Sequence, residues 1–134
     1  MSDWILVVDD DVSNLKMANH ILSSEKMRVS CLKSGEAAIQ FLRDNRPDLI
    51  LLDVHMPGID GFETLAAVKG NKATADIPVI FLTADDDSST ETRGLQAGAM
   101  DFIKKPFVPE EFLLRVRRVL SGIHEDMDYQ TREK

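Results

Sequence analysis

Five short apolar runs recur along the 134-residue chain: Trp4–Val8, Arg28–Leu32, Leu49–Leu52, Ile77–Leu82 and Ala99–Ile103. Several are continuous rather than alternating, which is the pattern of parallel strands buried on both faces. Segments with helical spacing lie between them. Leu15, Ala18 and Leu22 share one face, as do Ala38, Phe41 and Leu42; Phe62, Leu65, Ala66 and Lys69 follow the same rhythm with a polar edge. After the fifth run, Phe112, Val116, Val119 and Ile123 form a longer stripe. Strand and helix alternating five times predict an α/β domain: a five-stranded parallel sheet with helices on both faces.

Boundary residues agree. Ser34 is placed to cap the second helix, and Pro109-Glu110-Glu111 puts proline and acids in the first turn of the fifth. Gly58, Gly61 and Gly98 punctuate loops or helix ends. The Ser88–Gly98 helix has the poorest pattern, being rich in Ser, Thr and Gly.

In a parallel sheet with right-handed crossovers, all strand carboxyl ends share one edge, and that crevice is where ligands bind. The acids are placed accordingly. Asp9–Asp11 follows the first strand, Asp53 ends the third, and Asp85–Asp87 follows the fourth. The acids should therefore converge.

Carboxylates brought that close repel and raise one another's pKa, so a bare cluster is unfavourable. A hard divalent cation relieves this; Mg2+ prefers oxygen ligands and combines one or two carboxylates with water and phosphate. Asp9, Asp10 and Asp53 are the candidates for such a site, whereas Asp11 beside the first helix suits a capping role. Thr83 ends the fourth strand and Lys105 follows the fifth. Each has an ordinary explanation alone, a β-former and an ion pair. Beside a metal they resemble an anion site for phosphoryl oxygens. A strand-end carboxylate can also act as a nucleophile, as in aspartyl-phosphate chemistry.

Taken in order, Ile5-Leu6-Val7-Val8-Asp9-Asp10, Leu51-Leu52-Asp53-Val54-His55-Met56-Pro57-Gly58-Ile59-Asp60-Gly61, Phe81-Leu82-Thr83-Ala84 and Lys105-Pro106-Phe107 resemble the receiver domain of two-component response regulators. The resemblance covers about residues 3–121. It implies the (βα)5 flavodoxin-like receiver fold, and that Asp53 is the phosphorylated aspartate. Asp10 and Asp53 would ligate Mg2+ (Mn2+ can substitute), with the His55 carbonyl as a backbone ligand and Asp9 acting through water. Thr83, Lys105 and the Ala84 N–H would bind the phosphoryl group. Phe102 falls at the aromatic switch position, and the Lys105–Pro106 bond would be cis.

The implied donor is the phosphohistidine of a sensor histidine kinase or phosphotransfer protein. The chain is thus a phosphoacceptor that phosphorylates and dephosphorylates itself, not an enzyme acting on a separate substrate. Its switched surface would be the face of the fourth helix, fifth strand and fifth helix, open to an output domain or a second copy. Inverting a switch from about 1:99 to 99:1 takes roughly 5.5 kcal/mol, which two or three charge-assisted hydrogen bonds of roughly 1.5–3 kcal/mol each can supply. Phe102 stands where tyrosine is commoner. The steric switch survives, but any hydrogen bond from a ring hydroxyl is absent.

Other readings fit less well. Asp53-Val54-His55-Met56-Pro57-Gly58 satisfies the D-x-H-x-x-G pattern of cobalamin-binding domains, but there the motif follows the first strand and has Ser-x-Leu and Gly-Gly partners that this chain lacks. A haloacid dehalogenase-type phosphatase needs a second acid where His55 stands, and a flavodoxin-like cofactor binder needs a Ser/Thr/Gly loop where this chain has acids. A receiver-shaped module that is never phosphorylated would usually lose an acid or the lysine; all five site residues are kept here.

Sixteen basic residues against 23 acidic ones leave a net charge of −7, which argues against direct binding of nucleic acid or an anionic membrane by this domain. No apolar run approaches the ~20 residues of a membrane span, and the five-residue run before Asp9 is shorter than the roughly 7–15 of a secretory core. Cys31 has no second cysteine to pair with. These features predict a cytoplasmic protein. A receiver is expected over 1–121, with 122–134 a tail or the start of a linker; Met127, one turn beyond Ile123, extends the last stripe toward a dimerising helix.

Overall fold

The computed structural model describes residues 2–84 and 88–122. Among these, strands and helices alternate as β1 (Trp4–Val8), α1 (Val12–Ser23), β2 (Arg28–Leu32), α2 (Gly35–Phe41), β3 (Leu49–Asp53), α3 (Gly61–Lys69), β4 (Val79–Thr83), α4 (Ser88–Ala97), β5 (Asp101–Lys104) and α5 (Pro109–Leu120). All strand pairs are parallel, in the order β2-β1-β3-β4-β5. The expected fold class is therefore the observed one.

The continuous apolar runs are the central strands. β1, β3 and β4 bury almost every side chain, and alternate residues point to opposite layers. Leu6, Val8, Ile50, Leu52, Val79 and Phe81 meet α2, α3 and the α4 side. Ile5, Val7, Leu49, Leu51, Ile80 and Leu82 meet α1 and α5. The sheet is thus clamped on both faces, and the site can be built only at its ends.

Two boundaries and one helix face differ from expectation. β4 begins at Val79, because Pro78 has no N–H and Ile77 instead turns its N–H back to the Thr74 carbonyl. β5 begins at Asp101, because the Ala99 and Gly98 N–H groups close the end of α4 on Gly94 and Leu95, with Gly98 at φ +113°. The inner face of α3 is Gly61, Thr64, Leu65 and Val68, with Ala66 exposed. Thr64 can be hidden because its hydroxyl donates to the Asp60 carbonyl at 2.8 Å. Ser34 caps α2 and Pro109 opens α5 as expected. Ile123, Met127 and the acids Asp85–Asp87 lie outside the described residues.

Candidate functional site

The order 2-1-3 places the reversal of connections between β1 and β3, whose carboxyl ends carry Asp9 and Asp53. Val8 pairs with Leu52 in the ladder, so the next residues on each strand, Asp9 and Asp53, come out side by side. Carboxylate oxygens of Asp9, Asp10 and Asp53 lie within 4.8 Å of one another. Asp9 and Asp53 are buried, while Asp10 is exposed at the rim.

Two local features hold Asp53 in place. The Gly61 N–H donates to the Val54 carbonyl at 2.8 Å, drawing the start of α3 onto the strand end. That approach requires glycine: a Cβ at Gly61 would run into the Asp53 carbonyl and stand 2.7 Å from Val54 Cα. Asp60 and Glu63 close a reciprocal capping box that fixes how α3 departs from this loop. The loop between β3 and α3 turns at Gly58, φ +78°, and carries His55 with its side chain exposed.

Lys105 supplies the countercharge. Its Nζ lies 2.9 Å from Asp9 Oδ2 and 2.9 Å from Asp53 Oδ1, and its backbone N–H donates to the Thr83 carbonyl at 2.9 Å. The Lys105–Pro106 bond is cis. Burial works against the ammonium, but the hydrogen bonds and charges of Asp9 and Asp53 prevail and raise its pKa above the ordinary lysine value. At Asp53 burial dominates. Together with the charge of Asp9 and a contact from Asp10, it outweighs Lys105 and pushes the carboxyl up to about 6. The three acids offer hard oxygen donors in a compact set, consistent with a site for a divalent cation such as Mg2+.

Thr83 and Ala84 fall on the same edge, whereas Phe102 lies two residues short of it, paired with Phe81. Thr83 is buried at the end of β4, Ala84 follows it at the surface, and Phe102 is buried on β5. The Phe102 ring lies 5.9 Å from that of Phe81 and rests over Gly94 of α4. Beside it opens a cavity of about 140 Å3 lined by Glu91, Asp101, Phe102, Lys104, Glu111 and Arg115. Asp11 caps α1, accepting from the Ser13 hydroxyl at 2.7 Å and the Ser13 N–H at 2.9 Å, and these bonds lower its pKa. Sequence reasoning missed one contact: Asn14 Nδ2 donates to Asp9 Oδ2 at 3.3 Å. The available signal was an asparagine one turn into α1, where the helix faces back toward the strand end.

A doubly wound parallel sheet whose switch point carries acids and a lysine, in place of a glycine loop, defines an acidic-site α/β module rather than a nucleotide binder. Residues 5–117 match the response regulator receiver domain, and the chain belongs to that family. It is 38% identical over 117 residues to the DNA-binding response regulator MtrA of Mycobacterium tuberculosis, covering 87% of this chain and 50% of that protein. The chain therefore spans about half the length of such curated relatives. Among solved structures, it resembles the signal receiver domain of a signal transduction histidine kinase from Syntrophus aciditrophicus (TM-score 0.83, 37% identity, 91% of this chain and 92% of that one). It is also similar to the chemotaxis response regulator CheY4 of Vibrio cholerae (TM-score 0.84, 31% identity, 89% and 99%). Among the described residues, no helix is long and apolar enough to cross a membrane.

Proposed function

We propose that this chain accepts a phosphoryl group on Asp53 from the phosphohistidine of a sensor histidine kinase or phosphotransfer protein. The observation that carries the reading is the meeting of the Asp9, Asp10 and Asp53 carboxylates with Lys105 Nζ at the carboxyl edge of the sheet. Mg2+, or Mn2+ in its place, would be held by the three carboxylates and the His55 carbonyl, and would supply neutralisation of phosphoryl charge. Asp53 is the nucleophile: one carboxylate oxygen bonds to phosphorus as the phosphorus–nitrogen bond breaks, and the electron pair leaves with the donor's imidazole. Lys105, already on Asp53 Oδ1, is in reach of the incoming phosphoryl oxygens, and Thr83 and the Ala84 N–H complete the anion site.

The response then runs from Thr83 along β4 and β5 to Phe102. Thr83 drawn onto the phosphoryl group changes the space beside β5, and Phe102 repositions against Gly94 and Phe81. The face of α4, β5 and α5 carries this change to an output domain, a partner or a second copy. Exposed Leu95 and Leu114 and the Arg115 pairs with Asp101 and Glu111 lie on these elements. Residues 1–121 form the receiver in this reading, and 122–134 a linker or tail.

Incubation with acetyl phosphate and Mg2+, followed by intact mass measurement, tests the assignment. One added phosphoryl group on the native chain, abolished by EDTA and by Asp53→Asn, is expected. A native chain that gains no mass, or an Asp53→Asn chain that still gains it, refutes the reading.

A further inference from the structure

The Asp9 carboxylate is fully buried, and three donors fix it. The Asp11 N–H reaches Oδ1 at 3.0 Å, while Lys105 Nζ at 2.9 Å and Asn14 Nδ2 at 3.3 Å both reach Oδ2. Asn14 stands in an unusual place for such work. It is the third residue of α1 after its cap Asp11, where a glutamate or glutamine would reach back to close a capping box. Asparagine ranks low inside helices, and the cap does not need it, because Asp11 is already engaged by Ser13. Its amide instead leaves the helix for the end of β1.

We infer that Asn14 is a positioning residue for the phosphoacceptor site: with Lys105 it fills both lone pairs of Asp9 Oδ2, leaving Oδ1 as the oxygen free to meet a divalent cation or its water. A carboxylate oxygen offers two lone pairs. Oδ1 accepts only the Asp11 N–H among the described residues, so one of its lone pairs stays open. An amide suits the task because it is a neutral donor. It holds the acid without adding positive charge that would compete with the cation, and an apolar side chain there would remove one of the three donors that fix Asp9. The inference rests on the proposed function, because it assumes that Asp9, Asp10 and Asp53 take a metal.

Removing the partner that orients a metal-binding group typically costs about 10–100-fold in metal affinity. A bond from an uncharged donor at 3.3 Å, long for one to a carboxylate, belongs at the low end, about tenfold. The test is a Mg2+ titration of the full chain followed by NMR through backbone amide shifts, on native protein, Asn14→Leu and Asn14→Gln, with thermal unfolding in EDTA alongside. Asn14→Leu should bind Mg2+ about tenfold more weakly while unfolding in EDTA near the native midpoint, and Asn14→Gln, which keeps the amide donor, should recover most of the loss. A lowered midpoint with unchanged Mg2+ affinity would make Asn14 merely structural and overturn the proposal; so would an equal loss in both variants. A native chain showing no Mg2+-dependent shifts near Asp9 overturns the phosphoacceptor reading itself, and this inference with it.

Discussion

Replacing Asp53 by Asn should stabilise the metal-free fold at neutral pH, although it removes one partner of an ion pair. Burial and the neighbouring acids raise the Asp53 carboxyl to about 6, from an ordinary value of 3.8, despite Lys105. A carboxyl raised in the folded state is bound by the fold in its neutral form. Its contribution to stability is fully present below the unfolded value and lost as pH rises through about 6. At about 1.4 kcal/mol per pH unit, the difference between 3.8 and about 6 amounts to roughly 3 kcal/mol in favour of a neutral side chain above that pH. Asn reproduces the neutral carboxyl and does not titrate. With an unfolding entropy of ~2.1 cal/mol/K per residue, a chain of this length should gain roughly 10 °C in midpoint. Urea and thermal unfolding in EDTA, at about pH 4 and about pH 7.5, would measure it. The gain should be present at the higher pH and nearly absent at the lower. Mg2+ should narrow it, because cation at about a hundredfold over Kd stabilises only the native chain, by about 2.7 kcal/mol. An Asp53→Asn chain no more stable than native at about pH 7.5, or equally favoured at about pH 4, would refute the assignment of burial as the dominant force on this acid.

Lys105→Met should have the opposite sign. Its side chain is 17% exposed, against 0% for Asp9 and 6% for Asp53, so the loss follows the buried-pair figure of about 3–5 kcal/mol rather than the surface one; urea unfolding in EDTA would read it, and a loss under about 1 kcal/mol would show that the acids do not depend on this cation. Gly94→Ala should cost about 1–2 kcal/mol, since its Cβ would stand 2.6 Å from Phe102 Cζ and 3.0 Å from Phe81 Cδ2, outweighing the ~1 kcal/mol that alanine returns to a helix. Aromatic proton shifts of Phe102 should move in that variant with Asp53 left intact; unchanged shifts would mean the ring does not rest on Gly94.

The strands were legible because burial on both faces removes the need for polar alternation, and β1, β3 and β4 are apolar throughout. Their ends were less so. Whether Ala99 belongs to a strand depends on the Gly94 carbonyl accepting its N–H, a contact set by how α4 stops and not by residue type. The face of α3 was misjudged because Thr64 satisfies its hydroxyl within the helix and can be buried like an apolar residue. Asp9, Asp10 and Asp53 were legible because they sit at the ends of neighbouring strands, where topology alone brings them together. Asn14 was not, because its role depends on the rotation of the first turn of α1 relative to β1.

In the proposed function, the charges at this edge would let one site take both a cation and an anion. Three carboxylates face one ammonium, and the Asp53 carboxyl is raised to about 6, by burial first and then by the charge of Asp9 and a contact from Asp10. A divalent cation held by Asp9, Asp10 and Asp53 would favour the ionised form of Asp53, the form that acts as nucleophile in the proposed reaction. Without it, a phosphoryl group would approach an edge already two charges in excess, and Lys105 is committed to Asp9 as well as Asp53. In the proposed reaction, cation binding and phosphoryl acceptance would thus be linked in sign: a cation at the acids would weaken their pull on Lys105 and leave more of the ammonium's charge for the phosphoryl oxygens.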